Sequence, residues 1–181
     1  MYNRHEIPSG HNPDDYIVER LECSSHDGRM VPITITRHKN TPLDGSANLL
    51  LYGYGSYGNS MSPGFSSTRL SLIDRNIIWV TAHIRGGMER GMKWWKEGKL
   101  LNKKNTFEDY IAVGKYLIEK KYTSKGKIIG MGGSAGGLLM GAVVNQAPEL
   151  FLGLIMAVPF VDSLTTNPVS YTHLRAHETN Q

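Results

Sequence analysis

The sequence predicts an α/β fold in which a mostly parallel sheet is flanked by helices and preceded by an antiparallel β-hairpin. Two early runs of alternating apolar residues flank an Asp-Gly turn, which is a strong local signal for a hairpin. From Leu49 onward, short apolar runs alternate with segments of helical spacing, as the βα units of a parallel sheet require. Between Lys127 and Gly141, a glycine-rich turn joins an apolar run to a helical segment.

The N-terminal region consists of a lead-in and the predicted hairpin. Residues 1–15 are polar and rich in turn residues, so we expect them to form a lead-in or linker. The domain itself is expected to span residues 16–168. Its first two strands are predicted at Tyr16–Ser25 and Met30–Lys39, joined by a tight turn at 26–29, because apolar residues alternate on either side of that turn.

The rest of the domain follows an alternation of strands and helices. The predicted strands are Leu49–Tyr52, Ile77–Ala82, Ile128–Met131 and Gly153–Phe160, and the predicted helices are Leu70–Asp74, Thr106–Tyr122 and Leu138–Asn145. The first two of these strands are continuous apolar runs, which are typical of strands buried on both faces of a parallel sheet. Thr106 and Asp109 have the spacing of a capping box, so we expect a helix to begin at Thr106.

Composition indicates one globular domain. The chain has 181 residues, of which 40% are hydrophobic and 20% are charged, and this balance is ordinary for a globular protein. The formal net charge is +4, but the lysines are spread along the chain instead of forming the concentrated basic stripe of a nucleic-acid-binding surface. We therefore expect no nucleic-acid partner.

The sequence also favours a cytoplasmic protein without a metal or a cofactor. No apolar run is long enough to span a bilayer, and the N-terminus lacks the apolar segment of a signal peptide, so we expect no membrane partner. Cys23 is the only cysteine, which precludes an intrachain disulfide and is consistent with a reducing compartment. The histidines do not form a clustered pattern of metal ligands.

The glycine-rich turn carries the residues of a nucleophile elbow. Ser134 lies in a G-x-S-x-G motif between an apolar run and a helical segment, which is the strand, turn and helix context that this motif needs. Small neighbours allow the strand and the helix to approach closely, and the Ala135 N–H would point toward an oxyanion beside Ser134. A phosphate-binding turn is the alternative, although Ser134 breaks the spacing of the dinucleotide-binding motif.

Six sequence words occur in an order that points to one family. They are 50–58 (LLYGYGSYG), 69–75 (RLSLIDR), 83–87 (HIRGG), 103–110 (KKNTFEDY), 132–137 (GGSAGG) and 157–162 (AVPFVD). This arrangement closely resembles the catalytic domain of the prolyl oligopeptidase family, and Ser56, Tyr57 and Ala135 fit its oligopeptidase B branch. The resemblance implies a partial α/β-hydrolase fold and a β-propeller domain upstream on the same chain.

The resemblance also implies roles for particular residues. Ser134 would attack the scissile carbonyl of an oligopeptide and form an acyl-enzyme, with cleavage after Arg or Lys. Ala135, through its backbone N–H, and Tyr54, through its hydroxyl, would hold the oxyanion, and Tyr57 would line the substrate pocket. For Tyr54, an aromatic anchor that packs the loop is the alternative. We interpret the loop at 83–87, with His83 and Arg85, as structural, in a scaffold or a solvated face.

A serine nucleophile needs a histidine base and a carboxylate, which follow the serine in α/β-hydrolases. Downstream of Ser134, the candidates are Asp162 or Glu178 and His173 or His177. We reject a triad built from Asp162 and His173, because Asp162 ends the first strand after the elbow helix and the acid belongs one strand later. The chain is therefore predicted to lack its triad acid and base and to be inactive alone.

Residues 169–181 are expected to be an artefact. Residues 169–179 (VSYTHLRAHET) are what results from translating a DNA string that resembles a transposon-end sequencing adapter. We expect the natural sequence to depart from this chain near Asn167 or Pro168, and a genuine polar tail is the alternative.

Two other function classes stay open from the sequence. One is an esterase or acyl-aminoacyl hydrolase on the same fold, which an assay of ester against peptide substrates would distinguish. The other is a non-catalytic binding module with a vestigial elbow, whose Ser134 would not react with a fluorophosphonate.

Overall fold

A mixed sheet forms the centre of the structure. The computed structural model describes residues 10–62 and 64–162. Within them, the strands are β1 (Tyr16–Ser24), β2 (Met30–His38), β3 (Leu49–Tyr52), β4 (Ile78–Ala82), β5 (Ile128–Gly133) and β6 (Phe151–Ala157). Their order in the sheet is β1-β2-β4-β3-β5-β6. The pairs β1–β2 and β2–β4 are antiparallel and the other three are parallel, so the predicted parallel sheet with a preceding hairpin is confirmed.

The hairpin turn forms where the Asp-Gly pair predicts it. Ser25 N–H donates to Arg29 O at 2.8 Å and Gly28 N–H donates to Ser25 O at 3.1 Å. Gly28 has a φ of 80°, a left-handed conformation that glycine adopts without a steric penalty. Strand β2 of the hairpin also pairs with β4, and this pairing joins the hairpin to the parallel part of the sheet.

The helices differ from the predictions mainly at their ends. They are α1 (Ser67–Ile73), α2 (Met92–Lys96), α3 (Lys104–Glu119) and α4 (Ala135–Gln146), with 3-10 turns at Pro13–Asp15, Leu100–Asn102 and Pro148–Leu150. The sequence did not predict α2, which has only five residues and no long apolar stripe. The start of α4 was predicted too late, at Leu138, because Gly136 and Gly137 in its first turn have weak helical propensity.

The predicted capping box at Thr106 and Asp109 is wrong. Lys103 is the N-cap of α3, so both residues lie inside the helix, and both are buried. Thr106 Oγ1 donates to Arg85 O at 2.8 Å, and Asp109 accepts hydrogen bonds from the same arginine. Both side chains therefore join α3 to the loop after β4, and neither caps the helix.

The hydrophobic core lies between one face of the sheet and helices α3 and α4. Alternate residues of the central strands, such as Leu49 and Leu51, are fully buried against apolar side chains of the two helices. Tyr110 of α3 is also fully buried, and its hydroxyl donates to Leu51 O at 2.6 Å. Burial raises the pKa of Tyr110, so the phenol stays neutral and acts as a donor.

The opposite face of the sheet is less covered. Among the described residues, α1 packs there and leaves a cavity of about 510 Å³ whose lining includes Tyr52, Trp79, Met131 and Ile155. Up to residue 162, where the described part of the chain stops, β6 is an edge strand of the sheet, and Leu152, Ile155 and Met156 on it are 62%, 45% and 46% exposed. An exposed apolar edge strand is a template for pairing with further strands.

A buried ion-pair cluster connects the hairpin, the loop after β4 and α3. The side chain of Arg85 is 1% exposed, and its Nε and Nη2 donate to the two carboxylate oxygens of Asp109 at 2.8 and 2.6 Å. Its Nη1 donates to Asp27 Oδ2 at 2.5 Å, and Ser25 Oγ donates to Asp109 Oδ1 at 2.5 Å. Arg85 is therefore a scaffold residue, as predicted, and it does not belong to a solvated face.

Arg85 and Asp27 stay charged in spite of burial. Burial alone would lower the pKa of Arg85, but the hydrogen bonds that it donates to Asp109 and Asp27 raise it. For Asp27, burial opposes ionisation, but the Arg85 guanidinium lowers its pKa below 3.8. The ionised form of Asp27 therefore stabilises the fold at neutral pH, and this contribution is lost as the pH falls through the lowered pKa.

Several predicted features lie outside the described residues. These are the first nine residues of the lead-in, the tail at 169–181, and the candidate triad residues His173, His177 and Glu178. In the part of the chain that the structure does describe, no helix has the length and apolar character to span a membrane. Over the same ranges, no three His, Cys, Asp or Glu side chains are grouped as metal ligands would be.

We expect Asp109→Asn to lower the free energy of unfolding by about 3–5 kcal/mol, because it leaves the Arg85 guanidinium buried without its main counter-charge. Urea unfolding of this chain at low concentration, followed by tryptophan fluorescence, measures the change, since the Arg85 guanidinium lies 5.8 Å from the Trp94 ring. Asp27→Asn is the matched control. Asp27 is 34% exposed, so its loss should cost about 1 kcal/mol or less, and equal losses for both variants would contradict this interpretation.

Candidate active site

Ser134 lies at a sharp turn between β5 and α4. Its φ of 55° and ψ of −116° fall outside the main allowed regions, which is a strained conformation for a residue with a side chain. The surrounding backbone holds the turn, because Ser134 N–H donates to Ala157 O at 2.9 Å and Ser134 O accepts from Phe160 N–H at 3.0 Å. Ser134 is exposed, so its hydroxyl is accessible from solvent.

Two glycines allow the strand and the helix to meet at this turn. A Cβ added to Gly132 would lie 2.2 Å from Gly136 O, which is too close for any side chain. A Cβ added to Gly136 would lie 2.9 Å from Gly53 O and 3.4 Å from Tyr54 Cδ2. The motif therefore needs glycine at both positions, first to close the elbow and then to admit the loop after β3.

Tyr54 packs against the first turn of α4. It is half-buried, and its ring lies against Gly136, which follows Ser134 by two residues in the sequence. The structure thus brings together Ser134, Ala135 and Tyr54, which the sequence singled out separately. This contact fits both interpretations of Tyr54, as an oxyanion donor and as an aromatic anchor of the loop.

Ala135 is the first residue of α4 and is buried. A backbone N–H in the first turn of a helix has no acceptor within that helix. It also lies at the positive end of the helix dipole, so the position favours a negative charge beside Ser134. The turn therefore combines an exposed hydroxyl group with a neighbouring backbone N–H that is suited to bind an anion.

Tyr57 extends the site outward. Its side chain is 72% exposed, and its ring centroid lies 6.5 Å from that of Tyr54. Tyr57 also has a positive φ of 56°, which costs free energy for a residue with a side chain. An exposed aromatic ring near Tyr54 is suited to contact a substrate, and the role of Tyr57 in a substrate pocket stays a prediction.

Lys103 contacts the site but was not among the residues predicted from the sequence. Its Nζ donates to Gly55 O at 2.6 Å and to Ser56 Oγ at 2.7 Å, in the loop that carries both tyrosines. Burial lowers the pKa of Lys103 to about 8. One signal was present in the sequence, because this lysine begins the word 103–110. The neighbouring residues do not indicate that its side chain bonds to the loop at 55–56.

The described residues do not supply a base for Ser134. The hydrogen bonds of His26, His38 and His83 are made to other groups, and none of the described histidines bonds to Ser134. Asp162 lies after β6, in the segment that returns toward the elbow through Phe160. The site is therefore a nucleophile turn with candidate oxyanion donors.

Comparison with known proteins places this geometry in a family. Residues 63–181 match the family model described as the prolyl oligopeptidase family. The chain is 49% identical over 158 residues to dipeptidyl aminopeptidase BI of Pseudoxanthomonas mexicana, covering 87% of this chain and 22% of that protein. It is also 49% identical over 148 residues to protease 2 of Moraxella lacunata, covering 82% and 21%.

Comparison with solved structures leads to the same family as comparison of sequences. The structure of oligopeptidase B from Leishmania major matches with a TM-score of 0.85 and 44% identity, covering 89% of this chain and 22% of that chain. This match confirms the predicted α/β-hydrolase fold. The chain spans about a fifth of the length of the curated relatives that it matches. On the agreement of family model, strand order and serine turn, the chain belongs to the prolyl oligopeptidase family.

Proposed function

We propose that the protein containing this chain is a serine endopeptidase that cleaves oligopeptides through an acyl-enzyme on Ser134. The observation that carries the proposal is the exposed, strained Ser134 at the N-terminus of α4. Ser134 Oγ would bond to the scissile carbonyl carbon, and the peptide C–N bond would break as the leaving amine takes a proton. Water would then hydrolyse the ester and restore the hydroxyl group.

The oxyanion of the tetrahedral intermediate would be held by two donors. One is the Ala135 N–H, which belongs to the first residue of α4 and has no acceptor within the helix, and the other is the Tyr54 hydroxyl. The contact between Gly136 and Tyr54 supports this role, because it places the loop after β3 against the elbow. Donors fixed by the fold need no reorganisation when negative charge develops on the substrate oxygen.

The chain would act together with parts of a longer protein. A serine hydroxyl is a weak nucleophile without a histidine and a carboxylate, so we propose that both are supplied from outside these 181 residues. An N-terminal β-propeller is the proposed partner domain. We also propose a cytoplasmic location, in which Cys23 stays a buried thiol whose pKa burial raises to about 12.

Substrate preference is proposed to be for Arg or Lys at the residue before the cleaved bond. The similarity to oligopeptidase B and to a protein named protease 2 supports an endopeptidase. A second candidate is removal of dipeptides from the N-terminus of a substrate, which the name of the relative from Pseudoxanthomonas mexicana suggests. Mapping the products released from a long peptide distinguishes internal cleavage from stepwise release of dipeptides.

We expect Tyr54→Phe to lower kcat by about 100- to 1000-fold in the full-length protein, because it removes one oxyanion donor and keeps the aromatic ring. Ser134→Ala should abolish acyl-enzyme formation and labelling by a fluorophosphonate. Steady-state hydrolysis of a fluorogenic peptide measures the first effect, and intact-protein mass spectrometry measures the second.

Tyr57→Phe is the matched control for the loss of a phenol hydroxyl. Because Tyr57 is exposed and would contact substrate through its ring, this variant should leave kcat near the wild-type value. A wild-type kcat for Tyr54→Phe would show that Tyr54 is an aromatic anchor. An unlabelled Ser134 in folded full-length protein would favour the interpretation of the chain as a non-catalytic binding module with a vestigial elbow.

We expect the full-length protein to release product from peptides with Arg or Lys before the cleaved bond and the 181-residue chain to release none. The reason is that an isolated nucleophile turn retains only weak catalysis by its oxyanion donors. Parallel assays with Arg, Lys, Pro and ester substrates measure both effects. Rapid turnover by this chain alone, or preference of the full-length protein for simple esters, would contradict the proposal.

A further inference from the structure

The loop that carries the two tyrosines is fixed at both of its ends. We call residues 53–58 the tyrosine loop. At its start, Gly53 N–H donates to Met131 O of β5 at 3.1 Å, and at its end Gly58 N–H donates to Gly86 O at 2.9 Å. These bonds hold the ends of the loop, but they do not contact the backbone between the tyrosines.

The Lys103 side chain forms hydrogen bonds to the middle of the tyrosine loop, where Thr106 and Ile84 also pack against Gly55. The Lys103 ammonium donates to Gly55 O at 2.6 Å and to Ser56 Oγ at 2.7 Å, and both acceptors lie between Tyr54 and Tyr57. Tyr54 is therefore flanked by an anchored residue on each side, Gly53 through β5 and Gly55 through Lys103.

The backbone of Lys103 is held in place at the start of α3. Lys103 is the N-cap of α3, and its N–H donates to Leu100 O at 3.0 Å in the preceding 3-10 turn. One turn later, Thr106 Oγ1 donates to Arg85 O, which joins the start of α3 to the buried ion-pair cluster. The position of the ammonium is thus set by the same scaffold that holds the sheet and α3 together.

Lys103 is half-buried, and it lies near few other groups of opposite charge. Burial of its ammonium, which lowers its pKa, is costly unless the N–H donors are used. Among residues 10–62 and 64–162, the ion pairs that form do not include Lys103. Its bonds to the tyrosine loop are charge-assisted and therefore stronger than neutral ones, and its Nζ also lies 6.0 Å from the centre of the Phe107 ring.

We propose that Lys103 is a positioning residue, whose bonds to Gly55 and Ser56 hold the Tyr54 hydroxyl where the oxyanion beside Ser134 develops. The inference rests on the proposed function of Ser134 and Tyr54. Stabilisation of a transition state depends on donors that are already in place, so a loosened loop lowers kcat more than it raises KM. Lys103 acts through Tyr54 and has no contact with the substrate.

The test is a double-mutant cycle on kcat in the full-length protein, with a fluorogenic peptide as substrate. Lys103→Met keeps the length of the side chain and removes its donors, and it should lower kcat by about 10- to 100-fold. In the Tyr54→Phe background, the same change should lower kcat by about threefold or less. Lys103→Arg keeps the positive charge and N–H donors, so it should recover part of the loss.

Lys104→Met is the matched control, because Lys104 is the next residue and is exposed. It should leave kcat unchanged. If Lys103→Met does not fold, the same cycle is run with Ser56→Ala, which removes one of the two acceptors and should lower kcat by a few-fold only when Tyr54 is present.

The outcomes separate this inference from the proposed function. An unchanged kcat for Lys103→Met, or an equal loss with and without the Tyr54 hydroxyl, would overturn the positioning role. A loss that disappears in the Tyr54→Phe background supports it. A wild-type kcat for Tyr54→Phe alone would instead overturn the oxyanion role of Tyr54, and with it the premise of the cycle.

Discussion

The close approach of β5 to α4 at Ser134 is the constraint on which the candidate site depends. A Cβ on Gly132 would lie 2.2 Å from Gly136 O, so β5 can approach α4 this closely only without a side chain at Gly132. Between these two glycines, Ser134 adopts its strained backbone conformation and is exposed. Gly136 in turn leaves room for the loop after β3, so Tyr54 lies against the helix that begins directly after Ser134.

A second constraint acts from the other side of the tyrosine loop. The Arg85–Asp109 pair fixes α3 against the hairpin and the loop after β4, and α3 begins directly after Lys103. Lys103 then reaches the backbone between Tyr54 and Tyr57. The buried Arg85–Asp109 pair is therefore connected to the geometry of the site through α3 and the hydrogen bonds of Lys103.

Features that depend on neighbouring residues could be predicted from the sequence. The Asp-Gly hairpin, the apolar strand β3 and the turn at Ser134 are of this kind, and the structure has each of them. Contacts between residues that are distant in the sequence could not be predicted. Thr106 and Asp109 have the spacing of a capping box, but Asp109 instead accepts hydrogen bonds from Arg85, 24 residues away. The acceptors of Lys103 lie 48 and 47 residues away from it. Such contacts can be identified only from the folded structure, in which the sheet brings these loops together.

The most direct test of the central claim is a crystal structure of the full-length protein after reaction with a peptide aldehyde. The hemiacetal formed on Ser134 Oγ carries an oxygen where the oxyanion of the tetrahedral intermediate would lie. That oxygen should be about 2.7–3.1 Å from both the Ala135 N and the Tyr54 hydroxyl. An adduct on another residue, or a hemiacetal oxygen that points away from both donors, would contradict the role assigned to this turn.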